Sequence, residues 1–365
     1  HDHAMRVPRP DLSVAYGTPN ACNNCHKNKT AKWAYEAVDK WYGKTRAYHF
    51  AEDLIPGSRG GADAESHLLT LLNKPNIPEI VRAAAVNYLG NVQTSSGLNA
   101  ILSCINSKDA QVRYRAVIAL KNYDEQEWIG VAAPLLQDAV RAVRVAATDL
   151  FLTIPIANIP GSYQSAFLAA KDEHLQFLYN QADFSTGSLS LGDYYARLAD
   201  YGNAEKFYLR GIKKDNLMNL ARLNLSIVYN LDNKNNEALA VLKDAEKIDP
   251  ENENVLFNMG LLYNEMGNKT AALETFEKGL KIKAINPRLY YNYGLLLLNT
   301  DEAKAEQVLK KGLLQANNNA DLHYALAFLY LRQKQPTKAM SHAQILKELN
   351  PNNPNYAQIF NTLKL

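Results

Sequence analysis

ENVLFNMGLLYNEMGNKTAALETFEKGLKIKAIN, residues 253–286, is the stretch that decides the fold. It reads as a pair of amphipathic helices, and its anchor residues recur at a spacing of 34. Gly192, Ser226, Gly260 and Gly294 stand at that interval, as do Tyr195, Tyr229 and Tyr263. Ala204, Ala238 and Ala272 repeat it, followed by Tyr208, Leu242 and Phe276. A fifth unit puts Ala327, Tyr330, Ala339 and Pro351 in the same roles, with one residue dropped after Gly294. A helical pair this short cannot bury its apolar face alone, so successive copies must stack. Small residues are needed where the helices of a pair touch, and bulky ones fill the gap to the next pair.

This pattern resembles the tetratricopeptide repeat over residues 186–353, with 354–365 expected to begin a capping helix. Pro250 and Pro351 close their repeats as in that family. Pro287 is displaced by three residues, which implies a longer turn at Lys283–Asn286. Upstream, a period of 31 aligns Val81-Arg82, Val112-Arg113 and Val143-Arg144, then Ala85, Ala116 and Ala147, then Leu89, Leu120 and Phe151. Each set marks the second helix of a pair. Residues 64–155 are thus similar to HEAT-type repeats, and the resemblance implies that these arginines join neighbouring repeats.

The rest of the composition excludes more than it specifies. The chain has 365 residues, 47% hydrophobic and 21% charged, which rules out disorder and fibrous classes. A net charge of +3 does not argue for nucleic acid or an anionic membrane. The longest apolar run, Leu295 to Leu298, is far too short to span a bilayer. Three cysteines cannot build a disulfide framework, so Cys22 and Cys25 need another explanation.

They lie in the first 60 residues, which are dense in His, Cys and aromatic side chains. Pro8, Pro10, Gly17 and Pro19 suggest an extended lead over residues 1–21. A helix is expected from about Thr30 to Tyr42, with Trp33, Ala37 and Trp41 on one face and Gly43 as its stop. Pro56, Gly57, Gly60 and Gly61 read as a linker. Three domains follow: a haem-binding segment at 1–60, HEAT-like repeats at 64–170, and five tetratricopeptide repeats with a cap at 186–365. The fold class is all-α.

Cys22-Asn-Asn-Cys25-His26 is the one chemically pointed motif. Two thiols separated by two residues suit the two vinyl groups on one porphyrin edge, and His26 is then placed as the proximal ligand of the haem c iron. A redox-active pair would sit at the mouth of a βαβ unit, which is not present. A zinc site would need two more Cys or His at regular spacing. For the distal position His49, inside Tyr48-His49-Phe50, is the first candidate and His3 the second, with His1 and Met5 weaker. His67 reads as a packing or surface residue, and His174, His323 and His342 as repeat-surface residues. Cys104 reads as a small buried hydrophobe, and the repeat tyrosines as core rather than an electron relay.

Residues 1–11, HDHAMRVPRPD, and the run Gly17-Thr18-Pro19-Asn20-Ala21-Cys22 are similar to the last haem segment of bacterial multihaem c-type cytochromes. In that family a haem-rich region precedes HEAT-like and tetratricopeptide repeats, the order seen here, although this chain has a single haem motif. The start at His1 is read as a leader removed or as part of a longer protein. The expectation is an exported electron-transfer cytochrome, periplasmic or extracellular, because bacteria attach haem c outside the cytoplasmic membrane. Its partners would be a redox protein or other cytochromes, with contacts made through the repeats and self-assembly into an oligomer or filament as an option. The alternatives are a structural or assembly repeat protein with haem as a fastener, and a haem enzyme whose catalytic part lies upstream.

Overall fold

The computed structural model describes residues 8–282, 286–351 and 353–365, and among these there is no strand. His1, His3 and Met5 lie outside the described residues, as do 283–285 of the expected long turn. The chain divides into two compact units, residues 1–177 and 178–365.

The first unit opens with α1 (Pro10–Tyr16), α2 (Ala21–Cys25), α3 (Ala31–Tyr42) and α4 (Ala51–Ser58). Over residues 10–16 the expected extended lead is corrected, because Pro10 stands at the first turn of α1, where its missing N–H costs nothing. Gly17 then ends that helix in the left-handed conformation, φ +74. In α3 the Thr30 hydroxyl caps the Trp33 amide at 3.2 Å, but the buried stripe is Ala34 and Val38 rather than the Trp face. Small side chains let the short α1 lie close, whereas Trp41 is left 67% exposed.

Half of the expected linker is helical too, since Pro56 and Gly57 lie in α4 while Gly60 and Gly61 follow it. Pro56 sits inside α4 and cannot donate to the carbonyl of Glu52, and the Tyr16 hydroxyl donates to that oxygen instead at 3.3 Å. A Cβ on Gly57 would lie 2.6 Å from Leu68, so glycine there lets α4 pack on α5 (Ala64–Asn73).

From α5 the pairs follow: α5 with α6 (Glu79–Leu89), α7 (Ser95–Cys104) with α8 (Ala110–Leu120), α9 (Glu125–Ala132) with α10 (Arg141–Phe151), and then α11 (Gly161–Gln181). The period-31 residues are the core, with Ala85, Ala116 and Ala147 fully buried beneath Leu89, Leu120 and Phe151. Arg113 donates to both Asp138 oxygens at 2.6 and 2.9 Å and to the Ser107 carbonyl at 2.8 Å. Arg144 repeats this with Glu173 at 2.9 and 2.8 Å, so both arginines join one repeat to the next. Arg82 reaches only the Leu72 carbonyl, at 2.6 Å, and Glu79. Ser107 occupies the place that Asp138 takes one repeat later, so the next repeat offers Arg82 no carboxylate at that position.

The second unit contains five helical pairs: α12 (Ser185–Arg197) with α13 (Tyr201–Lys214), α14 (Asn219–Leu231) with α15 (Asn235–Ile248), α16 (Glu253–Glu265) with α17 (Lys269–Lys281), α18 (Pro287–Leu297) with α19 (Glu302–Gln315), and α20 (Ala320–Arg332) with α21 (Pro336–Leu349). The cap is α22 (Ala357–Leu363). A left-handed residue ends the first helix at Ala199, Asn233, Gly267 and Lys334, with φ between 56 and 79. The next amide then bonds back to the repeat tyrosine's carbonyl, as Lys234 does to Tyr229 at 2.8 Å. Alanine is the least suited of the four. Left-handed strain of about 1 kcal/mol exceeds the chain entropy that glycine adds, so Ala199→Gly should raise stability by about 0.5 kcal/mol in urea unfolding.

His323 and His174 are 3% and 5% exposed and His342 is half-buried, which corrects their reading as surface residues. His323 lies four residues before Ala327, the inward position that Leu256 and Tyr290 fill in earlier repeats. Its Nε2–H donates to the Asn317 carbonyl at 2.8 Å, which leaves Nδ1 to accept from His342 Nδ1–H, also at 2.8 Å. Burial, then His323, then Lys310 push His342 down to about 4. Tyr330 stacks on His342, and Lys310, Lys338 and Glu306 in turn surround the Tyr330 ring.

The folded ring therefore refuses a proton that the unfolded chain accepts. Its contribution is complete above the unfolded value of 6.5 and is lost as pH falls from there towards about 4. After discounting for solvent screening the loss is about 1 to 2 kcal/mol. Urea midpoints of the wild type should fall across that window, and His342→Asn should flatten the slope. Parallel slopes would remove the assignment.

Candidate functional site

Cys22, Cys25 and His26 are brought together by one short helix. Asn20 caps α2, its side-chain oxygen accepting the Asn23 amide at 3.1 Å. The Asn20 amide donates to Ser13 Oγ at 2.9 Å and to Asn23 Oδ1 at 2.8 Å, while Asn23 Nδ2 donates to the Lys29 carbonyl at 2.7 Å. The thiol-bearing turn is thus tied to α1 before it and to the entry of α3 after it. His26 ends α2, its amide bonded to the Cys22 carbonyl at 2.8 Å. Its ring is exposed and lies 5.0 Å from Trp33, centroid to centroid.

Both thiols are free, Cys25 exposed and Cys22 partly so, and α2 buries no residue. Cys104, by contrast, is buried, and burial pushes its thiol up. Among the described residues no group of three or more His, Cys, Asp or Glu converges as a metal-binding set. Two accessible thiols and an accessible imidazole on one turn fit covalent haem attachment by donor chemistry. They do not provide the four ligands of a structural zinc site.

His49 stands elsewhere, just before α4. Its Nδ1 accepts from the Ala51 amide at 3.2 Å, and its ring lies 4.2 Å from Phe50. Its own amide donates to Glu52 at 2.9 Å, and Arg9 ties that same carboxylate to Asp11. To ligate through Nε2 the ring would have to give up the Ala51 bond, because an accepting Nδ1 leaves the proton on Nε2. His3, the other distal candidate, is outside the described residues.

Two features went unread in the sequence. The first is a cluster on the buried carboxylate of Asp53, which accepts from the Tyr48 hydroxyl at 2.8 Å and meets His67 Nδ1 at 2.8 Å. Burial and then Asp53 raise the Tyr48 phenol. A carboxylate inside an apolar helix, with its imidazole partner on the following helix, carries no local signal, so only the fold reveals it. The second is a row of asparagines, Asn224, Asn258 and Asn292, at the 34-residue interval. Asn258 and Asn292 each donate to the carbonyl four residues earlier at 2.8 Å, and Asn224 donates to Asp193 at 2.8 Å. Asn258 also borders a groove of about 350 Å³ between α14 and α16, with Ile227, Asn230, Leu261 and Asn264. That row was visible in the sequence and could have been found with the other period-34 anchors.

Comparison with known families agrees with these periods. A profile described as HEAT repeats matches residues 65–150, and tetratricopeptide profiles match 228–267, 253–286 and 296–359. The chain carries HEAT and tetratricopeptide repeats. It is a helical-repeat scaffold of the kind that makes protein–protein contacts. The pair α12–α13 extends the second array upstream of the matched residues. No curated protein matches the chain significantly.

Among solved structures, MamA from Desulfovibrio magneticus RS-1 is 15% identical, covering 47% of this chain and 97% of that one at a TM-score of 0.40. YrrB, described as a TPR protein with an unusual peptide-binding site, is 15% identical over 52% and 97%, TM-score 0.40. Pseudomonas aeruginosa PilF is 18% identical over 51% and 86%, TM-score 0.44. No helix among the described residues is long and apolar enough to cross a membrane.

Proposed function

We propose that this chain is a protein-docking repeat scaffold that carries one covalently attached haem c on its N-terminal segment. The observation that carries the reading is the turn Cys22–His26, whose two thiols are free and whose imidazole is exposed beside Trp33. Cys22 and Cys25 would hold the haem as thioethers, each thiol hydrogen passing to the vinyl carbon beside the new carbon–sulfur bond. His26, at the end of that turn with Trp33 beside its ring, would supply the nitrogen ligand to the iron. The attached group supplies one-electron chemistry. The repeats choose what approaches it, through side-chain amides such as Asn258 that can pair with a partner's peptide groups.

Electron transfer to a redox partner or other cytochromes, and export to the periplasm or cell exterior, are parts of this proposal. The likeness of residues 1–22 to a multihaem segment supports them. An exposed site suits passing electrons between proteins. A fastener would be expected to fill a core, and α1, α3 and α4 already pack around Leu12, Ala34, Val38 and Ala51. The test is export-competent bacterial expression with the haem-attachment machinery. Colour retained by the denatured polypeptide, with a reversible one-electron reduction of the folded protein, is the expected result. A colourless denatured chain leaves only the scaffold.

A further inference from the structure

We infer that the HEAT unit has a docking groove of its own, for an amphipathic helix of a partner protein that carries acidic residues beside its apolar stripe. Two adjoining cavities of about 580 and 540 Å³ share Tyr114 and Ala142 and run across α6, α8, α10 and α11. The alanines Ala83, Ala84 and Ala142 keep the floor low. Ile80, Tyr88, Tyr114, Ile118, Val145 and Phe177 form the apolar walls, and Ile80 is 63% exposed. A concave apolar floor of this kind suits the apolar stripe of a helix.

The charges name the partner's chemistry. Arg115 at the rim has only Asn87 Oδ1 at 3.3 Å and the face of Tyr114, with no carboxylate in ion-pair range among the described residues. Arg141 lies over Phe177 and shares the single carboxylate of Glu173 with Arg144. The acidic residue inside the groove, Asp149, is already met by Lys121. Cations are thus left over around an apolar floor, and negative charge on the occupant would complete them. Bare nucleic acid would satisfy the arginines but not the apolar walls. Four helices at about 8 to 10 Å spacing leave three gaps and give a groove of roughly 24 to 30 Å, the length of about five helical turns. Apolar side chains at i, i+3/i+4 and i+7 would seat between Tyr114 and Ile80 on one side and Phe177 on the other.

The inference rests on the scaffold reading, since it expects a polypeptide, but not on haem. The experiment is selection of binders to the full chain from a display library of random helical peptides about five turns long, followed by fluorescence anisotropy. Enrichment of apolar stripes flanked by Glu or Asp is expected. Arg115→Glu should weaken the selected peptides at least tenfold with the thermal midpoint unchanged, Arg141→Gln should weaken them less, and Asn258→Ala in the other repeat array should leave them alone. Basic peptides, no enrichment, affinity indifferent to both arginines, or tight binding of a single-stranded oligonucleotide instead would overturn it. Peptides lost only with Asn258→Ala would overturn this groove while supporting docking by the tetratricopeptide unit.

Discussion

Gly260→Ala is expected to destabilise the tetratricopeptide unit by about 2 to 3 kcal/mol, measured as a lowered urea midpoint at unchanged slope. A Cβ at Gly260 would lie 2.5 Å from Phe276 Cε1, with two more ring atoms at 2.7 Å. The ring is 1% exposed and has nowhere to go, so α16 and α17 must part. The same close approach recurs in neighbouring repeats, where Gly192 faces Tyr208 at 2.4 Å and Gly294 faces Leu309 at 2.5 Å. Ser226 is the informative exception. Its counterpart across the pair is Leu242, and Ala327 stands against Ala343 in the fifth repeat. The aromatic rings of Tyr208 and Phe276 face only glycine, whereas the larger Ser226 and Ala327 have Leu242 and Ala343 opposite.

That relation makes a double substitution decisive. Phe276→Leu alone should cost about 1 to 2 kcal/mol through the void it leaves. Gly260→Ala with Phe276→Leu should cost clearly less than the sum, because it recreates the Ser226–Leu242 arrangement. Strict additivity would show that the Gly260 backbone, and not the ring opposite, is the cause.

These packing positions were legible because a repeat prints its own geometry several times. The second array could be laid out from Gly260, Tyr263, Ala272 and Phe276, and the arginine joints of the first from Val112-Arg113. What failed was read from single residues. Pro10 and Pro56 suggest breaks, yet one sits where a helix has no use for its N–H and the other has its orphan carbonyl satisfied by Tyr16. A surface place for His323 follows from the usual habit of histidine; its position in the repeat, inward like Tyr290, is the better guide. The candidate site was legible as far as Cys22, Cys25 and His26, since its chemistry is local. The Asp53–His67 pair joins residues on two helices and had no sequence signature.

Cys22→Ser with Cys25→Ser is expected to abolish covalent haem, an all-or-none loss read as colour on the denatured polypeptide and as the mass of the chain. Either single substitution should leave one thioether, and with it a chain that keeps its haem on denaturation at reduced yield. The fold should not notice. α2 buries no residue, and neither thiol is in the core of the unit, so the apo stability of all three variants should stay within about 0.5 kcal/mol of wild type. That separates this result from a general collapse. Asn23→Ala provides the complementary case, because it leaves both thiols but removes the amide that binds the Lys29 carbonyl and accepts from Asn20. It should lower attachment yield without eliminating it. Haem still fixed to the double variant would mean that the anchoring bonds lie elsewhere. If the wild type itself gave up its colour on denaturation, the turn at Cys22–His26 would lose its proposed role and the molecule would be a repeat scaffold alone.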